Sequence, residues 1–509
     1  MKSLLALSLF ILLIAYPQEL SAQSNKHTTE RSIDNLNRKP SSLRPSGKDI
    51  AAKVDAYMNA AVKNDQFSGS ILVARGGTAI ISKGYRMANY EWNVPNTPQT
   101  TFTLASLTKQ FTGMAMMQLQ EQGWLKVSDK ICKYLDNCPT AWQPITIHQL
   151  LTHTSGIENF SSLPDWDEEI AVRPTSRVDF VDVFRDLPLE FTPGEKFEYS
   201  NSGYYLLGLI LERASGQSYE DYLQQNIFKP LGMKNTGLVN PISLQPNRAN
   251  GYDWSGNYFV HPDYEDLTHA YSNGGVYSTT EDLLRWDKAL YGEQLVSKKS
   301  LQEIFTSFKG GYGYGWNINE KFGRKNTSHS GSLMGFSTYL SRFPSEQITI
   351  IILSNSDRTS ATKVANNLAA IVFGEDYDMP KPQLYDLLYT TLQEKGAEAA
   401  IQQYRNLKKE QAVEYDFSED MLNELGYDLM SNQNNQGAIA IFKLAVEMFP
   451  ESANTYDSLA EGYFENKNYL RSIANYKKSL ALDPENKNAE RMLEKIKKIG
   501  RDGVGTPKK

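Results

Sequence analysis

Cysteine is nearly missing from this sequence: its 509 residues include two, Cys132 and Cys138. That excludes a disulfide-dense scaffold, and a cysteine-built zinc site too, because no further thiolate exists to complete one. Histidine is scarce as well, six in all. His148, His261 and His269 show no metal-ligand spacing and His27 falls in a polar stretch, so neither metal nor cofactor is expected. Neither sign of charge dominates: 53 Lys and Arg against 59 Asp and Glu leave a net charge of -6. Such a chain has no broad basic surface to displace counterions from nucleic acid, and nucleic acid is not expected as a partner. Long apolar runs are also lacking. The run over residues 4–15 spans twelve residues, short of the roughly 20 that a membrane-crossing helix needs.

What is present describes a folded protein. Hydrophobic residues at 40% and aromatics at 11% suffice for the cores of two or three domains. The short apolar run follows Met1-Lys2 and leads through Tyr16-Pro17 to the small residues Ser21 and Ala22. This pattern predicts a signal peptide over residues 1–22 and a periplasmic or secreted protein with no stable membrane span once the signal is removed. No cysteine follows the run to accept a lipid. In an oxidising compartment Cys132 and Cys138 are expected to close a small disulfide loop, two free thiols being the alternative.

Residues 23–48 are polar, carry Pro40 and Pro45, and read as a linker. From Asp49 the apolar residues Ile50, Val54, Tyr57 and Ala61 recur every three or four positions, as on an amphipathic helix ending near Asn64. Residues 70–74 and 78–82 flank Gly76-Gly77 and predict a β-hairpin. A second strand pair is expected at 336–342 and 347–353, followed by a helix over 359–373. The long middle, from 104 to about 287, reads as helix and loop. The sheet is therefore assembled from both ends of the domain, with a helical insertion between them and a cleft where the two parts meet.

Beyond 376–382, which contains Pro380 and Pro382, the chain reads helical throughout. A period of 34 residues relates Leu422 to Tyr456, Leu425 to Leu459, Gly426 to Ala460, Phe442 to Tyr476 and Pro450 to Pro484. This resembles the tetratricopeptide repeat and covers 419–499 with a capping helix. Residues 376–418 form linker and helices, with Leu388, Leu392, Ala400 and Tyr404 as a degenerate earlier copy. Residues 500–509 make a tail. So short an array serves either to pack on the rest of the chain or to bind a protein partner.

Three separated segments carry the chemistry. Ser106-Leu107-Thr108-Lys109 opens a helix and sets an amine one turn from a hydroxyl; a serine needs such a base to become a nucleophile. The same letters recur at Ser360-Ala361-Thr362-Lys363, read as a chance surface copy. Tyr199-Ser200-Asn201 follows a Pro-Gly turn and precedes an apolar helix, bringing a phenol able to move protons and an amide able to grip a carbonyl. His329-Ser330-Gly331-Ser332 lies just before the strand expected at 336, where glycine admits a close backbone approach and a strand edge offers an amide to an oxyanion.

In this order the segments resemble the serine beta-lactamase and penicillin-binding protein superfamily, most closely the class C beta-lactamase-like serine hydrolases. Leu150-Leu151-Thr152-His153-Thr154-Ser155-Gly156, Gly274-Gly275 and Tyr312-Gly313-Tyr314-Gly315-Trp316 add to the resemblance, which spans 49–375. It implies an α+β fold: an antiparallel sheet flanked by helices, with a helical subdomain, ahead of the all-α repeat domain. It further implies Ser106 as nucleophile, Lys109 as its activator, Tyr199 as proton relay and Asn201 as a contact for the acyl portion. His329, Ser330 and Gly331 would contact substrate, and the backbone amides of Ser106 and Ser332 would form the oxyanion hole.

Best-known members carry lysine where this chain has His329. A largely neutral imidazole there weakens carboxylate binding and points away from efficient antibiotic hydrolysis. Tyr271-Ser272-Asn273 repeats the second motif's letters but runs straight into Gly274-Gly275, so Tyr199 is taken as the functional copy. The activity expected is cleavage of an ester or amide in a small molecule or peptide, through an acyl-enzyme. The alternatives are a covalent ligand sensor, or a non-catalytic envelope scaffold acting through its repeats.

Overall fold

A computed structural model describes residues 46–502 apart from 241, 256 and 257. The signal peptide, nearly all of the expected linker and the tail beyond 502 lie outside the described residues. Helix α1 (Gly47–Lys63) takes in the last two residues assigned to that linker, because Ser46 and Asp49 form a reciprocal capping box that starts the helix early.

Six strands form one antiparallel sheet: β1 (Gly69–Arg75), β2 (Thr78–Tyr85), β3 (Asn317–Lys321), β4 (Arg324–Leu333), β5 (Phe336–Phe343) and β6 (Ile348–Ser354). Their order is β3-β4-β5-β6-β1-β2. The two ends of the domain therefore meet at the β1–β6 ladder, where Ile71 faces Ile352 and Gly69 faces Ser354.

Strand alternation assigns each side chain to a layer. Ile71 and Val73 of β1, with Ile350 and Ile352 of β6, pack against α1 and the closing helix α4 (Ala361–Phe373) through Val54, Leu368 and Ile371. Leu72, Ile351 and Leu353 point the other way, into the core shared with α2 (Thr108–Glu121) and α3 (Asn201–Ser215). With both faces covered, the β6 segment is apolar at nearly every position.

Strands β3 and β4 carry no such signature and were not expected. In β4 the buried residues are Asn326, Thr327, Ser328, His329 and Gly331, so burial there leaves no hydrophobic alternation to read. His329-Ser330-Gly331 thus sits within a strand rather than before one. The middle of the domain is helix and loop as expected, interrupted by short strands at Phe102–Thr103, Gly237–Leu238 and Val276–Ser278 that form a small sheet of their own. Cys132 and Cys138 are joined as a disulfide.

The C-terminal region is all helix: α5 (Leu384–Lys395), α6 (Ala397–Glu410), α7 (Glu419–Ser431), α8 (Asn435–Met448), α9 (Ala453–Glu465), α10 (Tyr469–Leu482) and α11 (Lys487–Asp502). The pair α9–α10 begins 34 residues after α7–α8, at 453 against 419 and 469 against 435. Leu388, Leu392, Ala400 and Tyr404 are buried in one cluster with Leu422, Leu425 and Phe442. The region docks on the sheet domain through Arg358, which pairs with Asp386 at 2.5 Å and lies 4.2 Å from the Trp254 ring.

Candidate active site

The segment before Ser106 is held on three sides. The Leu104 N–H donates to the Val276 carbonyl at 2.8 Å, and the Leu104 carbonyl accepts from Thr338 Oγ1 of β5 at 2.8 Å. Ala105 then takes a left-handed conformation, φ 51°, which a non-glycine residue adopts only where its surroundings enforce it. The turn delivers Ser106 at the mouth of a cleft just ahead of α2.

Gly331 of β4 packs directly on this turn. A Cβ there would meet the Leu104 carbonyl oxygen at 2.3 Å and Thr338 Oγ1 at 2.6 Å. The glycine makes room for the nucleophile segment, not for substrate as its letters suggested. Its neighbours Ser330 and Ser332 are exposed, and Ser332 lines the cleft opposite Ser106. In the same way Gly315 admits the Lys109 carbonyl, which a Cβ would meet at 2.4 Å.

Lys109 is fully buried. Its Nζ lies 3.1 Å from Ser106 Oγ, 2.8 Å from Asn201 Oδ1 and 2.9 Å from the Asn273 carbonyl oxygen. It also sits 4.8 Å from the Tyr199 ring centroid and 5.5 Å from that of Tyr204. Burial without a carboxylate partner holds this amine well below the usual lysine value. The Tyr199 phenol is shifted the other way, raised by burial against a smaller opposing contribution from Ser106.

Asn201 is the first residue of α3. Its N–H donates to Asn159 Oδ1 at 2.9 Å and its Nδ2 to Ser161 Oγ at 3.0 Å, which turns Oδ1 toward Lys109. Tyr199 is fixed by His153, which is buried and adopts φ 54°. The Ser200 N–H donates to His153 Nδ1 at 3.1 Å, and the imidazole lies 4.3 Å from the Tyr199 ring. Burial, with Lys109 and His329 nearby, keeps His153 neutral.

His329 is 2% exposed. Its Nδ1 donates to the Ser330 carbonyl at 2.6 Å, so Nε2 is the acceptor for the Tyr312 hydroxyl at 2.8 Å. Burial first, then Lys109, pushes its pKa down to about 3. The ring is neutral and both nitrogens are engaged within the protein.

Three participants escaped the motif reading. The Asn273 carbonyl belongs to the discarded Tyr271-Ser272-Asn273 segment, whose Tyr271 side chain is buried against Tyr205 and Tyr219 while its backbone caps Lys109. Tyr204 and Tyr312 complete the aromatic lining around Tyr199 and His329. Tyr312 lay within a quoted motif, but its partner on β4 was not visible there. The other histidines among the described residues are engaged elsewhere: His148 with the Tyr314 hydroxyl, His261 with Glu91, and His269 stacked on Phe180. Among the described residues no cluster could hold a metal ion.

The beta-lactamase family profile matches residues 50–374. The chain belongs to the beta-lactamase family. This family of serine hydrolases accounts for the sheet domain and its cleft. The chain is 35% identical over 343 residues to "Penicillin-binding protein 4*" of Bacillus subtilis, covering 62% of this chain and 74% of that one. It is 30% identical to "Putative penicillin-binding protein PbpX" of the same organism, covering 69% and 85%. Among solved structures, a penicillin binding protein from Bacillus halodurans superimposes with TM-score 0.56 at 28% identity, covering 62% of this chain and 98% of that one. The D-amino acid amidase of Ochrobactrum anthropi, at 22% identity and TM-score 0.56 over 64% and 99%, shares the fold. Among the described residues no helix is long and apolar enough to cross a membrane.

Proposed function

We propose that the protein is an exported serine hydrolase of the class C beta-lactamase-like type, which cleaves an ester or amide through an acyl-enzyme on Ser106. One observation carries this reading: Lys109 Nζ is buried with two carbonyl oxygens and the Ser106 hydroxyl as its polar neighbours. A neutral amine has two N–H donors and one lone pair. The two oxygens, on Asn201 and Asn273, take the donors, so the lone pair is left for the Ser106 hydroxyl proton.

As Ser106 Oγ attacks the carbonyl carbon, its proton passes to Lys109. The backbone amides of Ser106 and Ser332 receive the oxyanion. The Tyr199 phenol, kept protonated by its raised pKa, then gives its proton to the leaving group and is recharged from Lys109. A water follows the same path in reverse to release the acid. Asn201 holds the amine and its Ser161 contact places it beside the acyl chain. With both nitrogens engaged, His329 acts from behind Tyr199, holding Tyr312, while Ser330 and Ser332 present the edge of β4 to a small-molecule or peptide substrate.

The helix pairs α7–α8 and α9–α10 are tetratricopeptide-like in this reading, and α5–α6 is an earlier divergent copy. Their open surface would receive a protein partner. An activity-based serine probe followed by intact-mass spectrometry tests the proposal. Stoichiometric labelling with timed release, abolished by Ser106→Ala, is expected. Labelling without release would favour a covalent sensor, and absence of labelling on folded protein a scaffold.

A further inference from the structure

Residue 329 contributes no charge to the cleft, and the cleft itself, about 270 Å³, is lined by Glu265 and Asp266 and by no lysine or arginine. A cation stands on the other side of the β4–β5 turn. A second pocket of about 270 Å³ there shares Leu267, Leu333 and Met334 with the catalytic cleft and is lined further by Thr103, Arg248 and Phe336. The two spaces are therefore adjacent compartments divided by the Leu333-Met334 edge.

The backbone that presents Arg248 is firmly placed. The Thr101 N–H donates to the Asn247 carbonyl at 2.9 Å, and the Ala249 N–H donates to the Thr101 carbonyl at 3.0 Å. Arg248 is thus bridged to the strand segment that leads through Thr103 to Ser106. Its side chain is exposed, and among the described residues it makes no ion pair.

Two other polar side chains of the pocket are committed: His261 Nε2 lies 2.7 Å from Glu91 Oε1, and the Tyr264 hydroxyl donates to Asp266 Oδ2 at 3.3 Å. No carboxylate lines the pocket. An apolar wall with one uncompensated guanidinium suits a chain ending in a carboxylate, which arginine's planar fork can bind through two N–H groups. The acidic side of the catalytic cleft would repel the same group and so favour one direction of binding.

We propose that this pocket is a second subsite of the catalytic cleft, in which Arg248 selects substrates carrying a carboxylate beyond the scissile ester or amide. The proposal rests on the Ser106 reading above, and it moves the cation missing at position 329 to a different wall.

Two matched substrate pairs test it in the full-length protein. Hippuryl thioglycolate against its methyl ester puts the charge on the leaving side; p-nitrophenyl hydrogen glutarate against its methyl ester puts it on the acyl side. Arg248→Ala is expected to lower the acid-to-ester ratio of kcat/KM about tenfold in at least one pair, with Arg248→Lys intermediate. Ratios unchanged in both pairs would overturn the subsite.

Absence of Ser106-dependent turnover would count against the hydrolase reading instead, so binding is measured separately. Monomethyl glutarate is titrated calorimetrically into Ser106→Ala protein with and without Arg248→Ala. A Kd about tenfold weaker without the arginine supports the subsite. No binding at millimolar concentration, or equal affinity in both proteins, overturns it.

Discussion

The letters Ser-x-x-Lys occur twice in positions that both open helices, and the two copies behave differently. At Ser360 the side chain caps α4, accepting from the Lys363 N–H at 3.4 Å, and both residues are exposed. At Ser106 the partner Lys109 is fully buried, because α3, the Tyr199 loop and the Tyr271–Gly274 helix close over it. Spacing is common to the two; desolvation is not. A lysine in water keeps its proton at neutral pH, whereas one cut off from water, with carbonyl oxygens on its N–H groups, can serve as a base.

The comparison breaks most sharply at the serines. Ser106→Ala is expected to reduce kcat/KM by about 10³-fold or more and to abolish covalent labelling. Ser360→Ala should leave turnover intact while costing about 1 kcal/mol of stability through loss of the helix cap, read from denaturant melts.

The lysines sharpen it. Lys109→Met should lower kcat by about 10²–10⁴-fold, with Lys363→Met fully active in the same assay. Stability gives a second reading. Below 10.5 the unfolded chain takes up a proton that native Lys109 resists, so wild-type stability falls as pH drops from there through the depressed native value. The stability difference between wild type and Lys109→Met should therefore shift toward wild type as pH rises to 10.5 and level off above it, as measured by melts across that range.

Tyr199→Phe removes the proton donor but keeps the ring over Lys109, and should cost about 10²-fold in kcat. His153 acts one step back, through Tyr199. His153→Ala is expected to lower kcat about tenfold with little change in KM, and His153→Asn, which can still accept from Ser200, to recover part of the loss. The smallest effect concerns His329. Its pKa of about 3 places it outside the neutral range, so His329→Asn should leave the acid limb of the kcat/KM–pH profile unmoved.

Much of the fold was legible because apolar periodicity reports each residue's own exposure. The β1 and β6 segments, α1, α4 and the 34-residue helical period are all visible in that way. Strand β4 was hidden for the converse reason: most of its buried positions are polar, and Asn326 is tied to the neighbouring strand by its Nδ2, which donates to Ser341 Oγ and the Arg342 carbonyl. The Tyr199 and Tyr271 segments share their letters, yet one presents a phenol and the other a main-chain carbonyl. No letter announces a carbonyl, since every residue has one.

By itself the sequence determined which hydroxyl, amine and phenol were candidates, and that sheet strands from both ends of the domain would bracket a helical middle. Tertiary structure alone decided that burial holds the Lys109 amine well below the usual lysine value, that both nitrogens of His329 are engaged, and that Arg248 stands beside the cleft. The reason is physical: helix and strand patterns follow from near neighbours in the chain, whereas a proton affinity depends on how completely distant segments exclude water from one atom.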